Sequence, residues 1–137
     1  MSVEKGEKQD NASKLILVCD DVRDNSIFLQ TVLQMSGYEV DIVDSGAETL
    51  AYLESIIPNL LLLDVMMPGM DGYEVACRIQ NNPILQNLTI LFITAHGEAF
   101  FDQHPDMRAR AVIRKPVEPD VLIKYVQAAL LQMHDYL

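Results

Sequence analysis

From Lys14 onward the chain alternates short apolar runs of strand length with segments that carry helical spacing or helix-start signals. The first run is Leu15 to Cys19. Asp20 and Asp21 follow it, and a helical stretch begins near Asp24 with Ile27, Phe28, Val32 and Met35 on one face, ended by Gly37. The second run, Tyr38 to Val43, alternates apolar and acidic residues, as expected of an edge strand with one wet face, and Asp44 or Ser45 caps the next helix. The third, Leu60 to Leu63, is apolar on both faces and suits a central strand covered by helices on each side, with Asp64 directly after it. The fourth, Thr89 to Ile93, ends in Thr94. The fifth, Ala111 to Ile113, ends in Arg114 and Lys115, and Pro119 fits the first turn of a last helix reaching about His134.

Strands alternating with helices predict an α/β fold, an open, doubly wound, five-stranded parallel sheet, because each parallel return needs a crossover helix and crossovers are almost always right-handed. In such sheets the functional site lies beyond the carboxyl ends of the strands. Four of the five strands deliver a chemically capable residue to that edge: Asp20 and Asp21, Asp64, Thr94 and Lys115.

Three carboxylates gathered at one edge repel one another unless a cation or proton offsets their charge. A hard divalent cation such as Mg²⁺ answers this, since it prefers oxygen ligands and commonly bridges carboxylates to a phosphate. A carboxylate can also act as a nucleophile and form an aspartyl-phosphate when the incoming charge is neutralised. Asp64, alone at the end of the central strand, suits that role, and the pair Asp20 and Asp21 suits the metal. Thr94 offers a hydroxyl and Lys115 an ammonium group to the phosphoryl oxygens.

Composition narrows the field. A formal net charge of −10 disfavours direct binding to nucleic acid or anionic membranes. No apolar run approaches the roughly 18 residues of a membrane span, and the amino terminus lacks a signal-peptide pattern, so a cytoplasmic location is expected. Cys19 and Cys77 read as buried, reduced thiols, and His96, His104 and His134, without metal-ligand spacing, as ordinary surface residues.

The stretch DVMMPGMDG at Asp64 to Gly72, the acidic pair Asp20-Asp21, and the pairs Thr94-Ala95 and Lys115-Pro116 occur in one order. In this the chain resembles the receiver domain of two-component response regulators, of the stand-alone kind related to chemotaxis regulators, from about Lys14 to about His134. The resemblance implies a flavodoxin-like (βα)5 fold with strand order 2-1-3-4-5. It implies Asp64 as phosphoacceptor, Asp21 and Asp64 as direct Mg²⁺ ligands with the Met66 backbone carbonyl, Asp20 as a ligand through water, and Thr94 and Lys115 as phosphoryl contacts. A cis Lys115-Pro116 bond is also expected from it. The implied partners are a histidine kinase or histidine phosphotransfer protein as donor and a downstream protein target, with a homodimer through the face of the fourth helix, fifth strand and fifth helix. The organisation expected is a flexible polar segment at 1–13 and a receiver domain at 14–137 without an output domain.

Two regions depart from that pattern. Many receivers carry a Tyr or Phe three residues before the Lys, whose rotation accompanies movement of the Thr; Val112 stands there, so the usual aromatic readout is absent or replaced. His104-Pro105 should break the fourth helix early. Nearby, Arg108, Arg110 and Arg114 form a basic cluster that could dock an acidic partner or a second copy, and Phe100 and Phe101 read as two aromatics unable to share one core. Among rivals, an aspartate-based phosphatase usually needs a second Asp two residues after the nucleophile, where this chain has Met66, so an enzyme acting on outside substrates is not expected. Flavin binding lacks a glycine-rich loop after the first strand. A phosphorylation-independent interaction module with the same fold is the alternative.

Overall fold

The computed structural model describes residues 14–95, 98–106 and 111–135. Segment 1–13, His96, Arg108 and Arg110 lie outside the described residues, as does the side chain of His134. The elements alternate throughout: β1 (Leu15–Cys19), α1 (Arg23–Met35), β2 (Glu39–Val43), α2 (Gly46–Leu53), β3 (Leu60–Asp64), α3 (Gly72–Gln80), β4 (Ile90–Thr94), α4 (Glu98–Gln103), β5 (Val112–Arg114) and α5 (Pro119–Asp135). All strand pairs are parallel and the order is β2-β1-β3-β4-β5.

Side-chain alternation along the strands divides the interior into two layers. Ile16, Val18, Leu60, Leu62, Leu91 and Ile93 face one side, where Leu29 and Leu33 of α1 and Leu122 and Val126 of α5 cover them. Leu17, Cys19, Leu61, Leu63 and Phe92 face the other, against Leu53 of α2, Val75 and Ile79 of α3 and Phe101 of α4. Every residue of β3 is buried, consistent with its central place and its unbroken leucine run. At about 1.5–3 kcal/mol for each fully buried leucine, those four side chains make β3 the main apolar anchor of the sheet. β2 pairs only with β1 and keeps Glu39 and Asp41 in solvent, the wet edge that its alternation foretold.

The sequence misassigns the buried face of α1. Ile27, Phe28 and Met35 are exposed, Met35 at 82%, and the buried stripe is Ser26, Leu29 and Leu33, with Val32 only partly covered. The cause is Ser26, a polar residue inside the stripe that hides its periodicity: its hydroxyl donates to the Asp20 carbonyl at 3.2 Å. Ser45 rather than Asp44 caps α2, accepting from the Glu48 N–H at 3.1 Å, while the Glu48 carboxylate accepts from the Asp44 N–H at 2.9 Å. Asp71 caps α3 in the same manner, accepting from the Glu74 N–H at 2.9 Å.

α4 is short and ends at Gln103, directly before His104-Pro105. Phe100 and Phe101 pack into the same layer after all, Phe101 buried and Phe100 partly so, because an edge-to-face arrangement 5.6 Å between centroids lets neighbouring rings share one core. His104 is half-buried rather than an ordinary surface residue: its ring lies between Tyr73, at 4.1 Å, and Phe100, at 4.7 Å. Cys77 is likewise only half-buried.

Candidate functional site

Strand register sets the site. Cys19 aligns with Leu63, Asp64 with Ile93, and Thr94 with Arg114, so Asp20, Asp64, Thr94 and Lys115 all fall at or just past the carboxyl ends of adjacent strands. The Lys115 N–H donates to the Thr94 carbonyl at 2.9 Å, extending the β4–β5 ladder to the residue that carries the ammonium group. The Lys115-Pro116 bond is cis, as the resemblance implied.

Asp20 and Asp64 are buried, at 1% and 3% exposure, and Asp21 is exposed beside them. One carboxylate oxygen from each of the three lies within 4.8 Å of the others. Asp20 is held on both oxygens: one accepts from the Val22 N–H at 2.9 Å and the other from Lys115 Nζ at 3.1 Å. Asp64 accepts more weakly, from the Met66 N–H at 3.3 Å, and its second oxygen lies 3.6 Å from Lys115 Nζ. Thr94 is fully buried at the same edge.

Burial first, then the nearby Asp20 charge, push the Asp64 carboxyl up to about 6, although the Lys115 ammonium and the Met66 N–H pull the other way. One lysine thus leaves the carboxylate group undercompensated, and a further cation would relieve it. The donor set suits Mg²⁺: hard carboxylate oxygens converge, one from a solvent-facing residue, with the Met66 backbone two residues after Asp64. Cys19, just beneath, is no competing nucleophile, since burial pushes its thiol up to about 12 and it points toward Met67 Sδ at 3.5 Å.

The loop from Val65 to Asp71 returns tightly to the strand end. Gly69 has φ +76°, a left-handed conformation that glycine adopts without strain. Gly72 is closer still: its N–H donates to the Val65 carbonyl at 2.8 Å, and a Cβ there would collide with the Asp64 carbonyl oxygen. Beside Asp20 and Lys115 a cavity of about 510 Å³ opens between Phe28 of α1 and Pro116 and Val117. Ser26 and the Tyr73-His104 contact were not singled out from sequence; a serine within an apolar stripe and an aromatic directly after the motif glycine were the available signals.

Fold and site together define a doubly wound α/β domain with an acidic, cation-fitting centre at the ends of its strands. The chain matches the response regulator receiver domain over residues 16–127 and belongs to that family. It is 33% identical over 117 residues to the response regulator PleD of Caulobacter vibrioides, covering 85% of this chain and 26% of that protein. It is 35% identical over 114 residues to a 14.6 kDa protein from the sodA1 3′ region of Leptolyngbya boryana, covering 82% of this chain and 86% of the other. A CheY-like receiver domain protein from Methanospirillum hungatei has the same fold, with a TM-score of 0.81 at 26% identity over 90% of this chain and 98% of its own. The chain spans about a quarter of the length of PleD. Receiver domains are phosphoacceptor modules of two-component signalling that interact with histidine kinases or phosphotransfer proteins and with downstream targets.

Proposed function

We propose that this domain accepts a phosphoryl group on Asp64 from the phosphohistidine of a sensor kinase or phosphotransfer protein, in a Mg²⁺-dependent reaction, and signals by contact with other proteins in the cytoplasm. The observation that carries the reading is the convergence of Asp20, Asp21 and Asp64 within 4.8 Å, with Lys115 at hydrogen-bond distance from Asp20.

An Asp64 oxygen attacks phosphorus, the new P–O bond forms as the P–N bond to the donor imidazole breaks, and the leaving nitrogen takes a proton. Asp64 is suited to attack because the Met66 N–H holds it only at 3.3 Å, whereas Asp20 is tied at 2.9 and 3.1 Å and serves better as a fixed charge. Asp21, Asp64 and the Met66 carbonyl would hold Mg²⁺ directly and Asp20 through water. Bound there, the ion would neutralise charge on the phosphoryl oxygens. Lys115 sits between Asp20 and Asp64 and is positioned to move from carboxylate to phosphoryl oxygen, and Thr94 supplies a hydroxyl from the adjacent strand. Phe28, exposed at the cavity, offers apolar area to a donor protein that must bring its histidine to Asp64.

The test uses phosphoramidate, a small P–N donor, with Mg²⁺ or with EDTA, followed by borohydride reduction and peptide sequencing. Reduction of the acyl phosphate leaves homoserine at position 64, and only with Mg²⁺. Homoserine at position 20 or 21, or yield independent of Mg²⁺, contradicts the assignment.

A further inference from the structure

A series of ring contacts links Tyr73 to Arg114, two residues that each adjoin along the chain a residue in contact with the aspartate centre. At one end Gly72 is pressed against the Asp64 carbonyl and Val65, and Tyr73 follows it directly. The Tyr73 ring lies 4.1 Å from His104, His104 lies 4.7 Å from Phe100, and Phe100 meets Phe101 edge-on at 5.6 Å. Phe101 is in turn covered by the Arg114 guanidinium, 4.8 Å from its centroid, and Arg114 precedes Lys115, whose ammonium reaches Asp20 and Asp64. α4 is therefore suspended between two anchors, each one residue removed from a group that touches the site.

The local chemistry favours a stiff link. Stacked and edge-to-face rings hold preferred separations and angles, so displacement of one ring is transmitted to its neighbour. The Tyr73 hydroxyl also reaches Asp106 at 3.4 Å, and the His104 N–H donates to the Phe100 carbonyl at 3.0 Å, tying the end of α4 to the same rings. β5 offers no equivalent, since Val112 has no ring and packs quietly against this layer. With only six residues, α4 has little intrinsic stability and takes its position from what it packs against.

We propose that the position of α4 is coupled to the aspartate site through the series Tyr73, His104, Phe100, Phe101 and Arg114, in place of an aromatic switch on β5. The proposal rests on the phosphoacceptor reading of Asp64. Movement of Lys115 toward a phosphoryl oxygen displaces Arg114 and Phe101, while the Tyr73 end stays fixed by Gly72, so α4 turns about His104 and alters the face it shows to a partner.

Hydrogen exchange of the segment 98–106, measured with and without acetyl phosphate and Mg²⁺ on the full chain, reads this directly, with intact mass giving the adduct in the same samples. In the wild type, phosphorylation changes exchange in the segment by several-fold. His104→Leu, which keeps volume without a ring, forms the same adduct but loses the response, and His104→Phe, which keeps a ring, restores it. An unchanged response in His104→Leu, or no response in a phosphorylated His104→Phe, overturns the coupling and leaves the phosphoacceptor reading intact. No adduct on the wild type overturns both.

Discussion

Asp64 is the residue at which function and stability pull apart. Burial and the neighbouring Asp20 charge push its carboxyl from the ordinary carboxylate range up to about 6. Because the folded value lies above the unfolded one, the ionised form destabilises the metal-free fold; that penalty is fully present above about pH 6 and fades as pH falls toward 4. Asp64→Asn should therefore stabilise the protein in EDTA at pH 7.5, by on the order of 1–2 kcal/mol in urea unfolding, with the advantage shrinking on acidification through pH 6 to 4. Equal stability of the two proteins across that range would show that Asp64 carries no such strain. Lys115 is the opposite case, a half-buried cation 3.1 Å from Asp20 and 3.6 Å from Asp64. Lys115→Met leaves the acidic pair without its only described ammonium partner. It should lower stability in EDTA by about 1–3 kcal/mol while raising Mg²⁺ affinity several-fold, measured by calorimetric titration. Unchanged or weaker Mg²⁺ binding would mean that lysine and metal do not compete for the same charge.

At the scale of elements, the turn between β3 and α3 is the joint that sets Asp64. Gly72→Ala drives a methyl group into the Asp64 backbone oxygen, and no flexible side chain can give way. A loss of about 3 kcal/mol or more is expected in thermal or urea unfolding. At Gly69 nothing lies within 4 Å of an added Cβ, so Gly69→Ala should cost only the left-handed backbone penalty, about 1–2 kcal/mol. Near-equal losses would refute this reading of the turn. Asp71→Ala, which removes the cap of α3, should cost about 1 kcal/mol without preventing Mg²⁺ binding.

These elements also mark what was legible in the sequence. Strand runs with no competing signal, such as Leu60 to Leu63, lie where the pattern put them, and the residues at their ends meet because parallel register leaves little freedom. The face of α1 was not legible, since Ser26 is buried by a hydrogen bond that spacing cannot reveal. Nor was the sharing of one core by Phe100 and Phe101, which depends on ring orientation, or the place of His104, whose neighbours come from α3 and α4 together. Pattern predicts what a residue offers to its own element; contacts between elements depend on angles that appear only after packing.

For the whole molecule, the fold brings nearly all of its strand-end chemistry to one edge and leaves the opposite edge to packing and turns. On the coupling proposed above, a charge change at the acidic centre would act on the six-residue α4 while the buried leucines of β3 stay in place. Among the described residues no helix is long and apolar enough to cross a membrane. Mg²⁺ saturation should raise the midpoint of thermal unfolding of the wild type, and much less in Asp64→Asn, because one of the three converging carboxylates is then neutral.

The most direct test of the central claim is intact-protein mass after incubation with acetyl phosphate, with Mg²⁺ or with EDTA, for the wild type and for Asp64→Asn. The wild type is expected to carry a single phosphoryl adduct that requires Mg²⁺ and is missing from Asp64→Asn. An adduct that persists in Asp64→Asn, or a folded wild type that binds Mg²⁺ and acquires none, would contradict it.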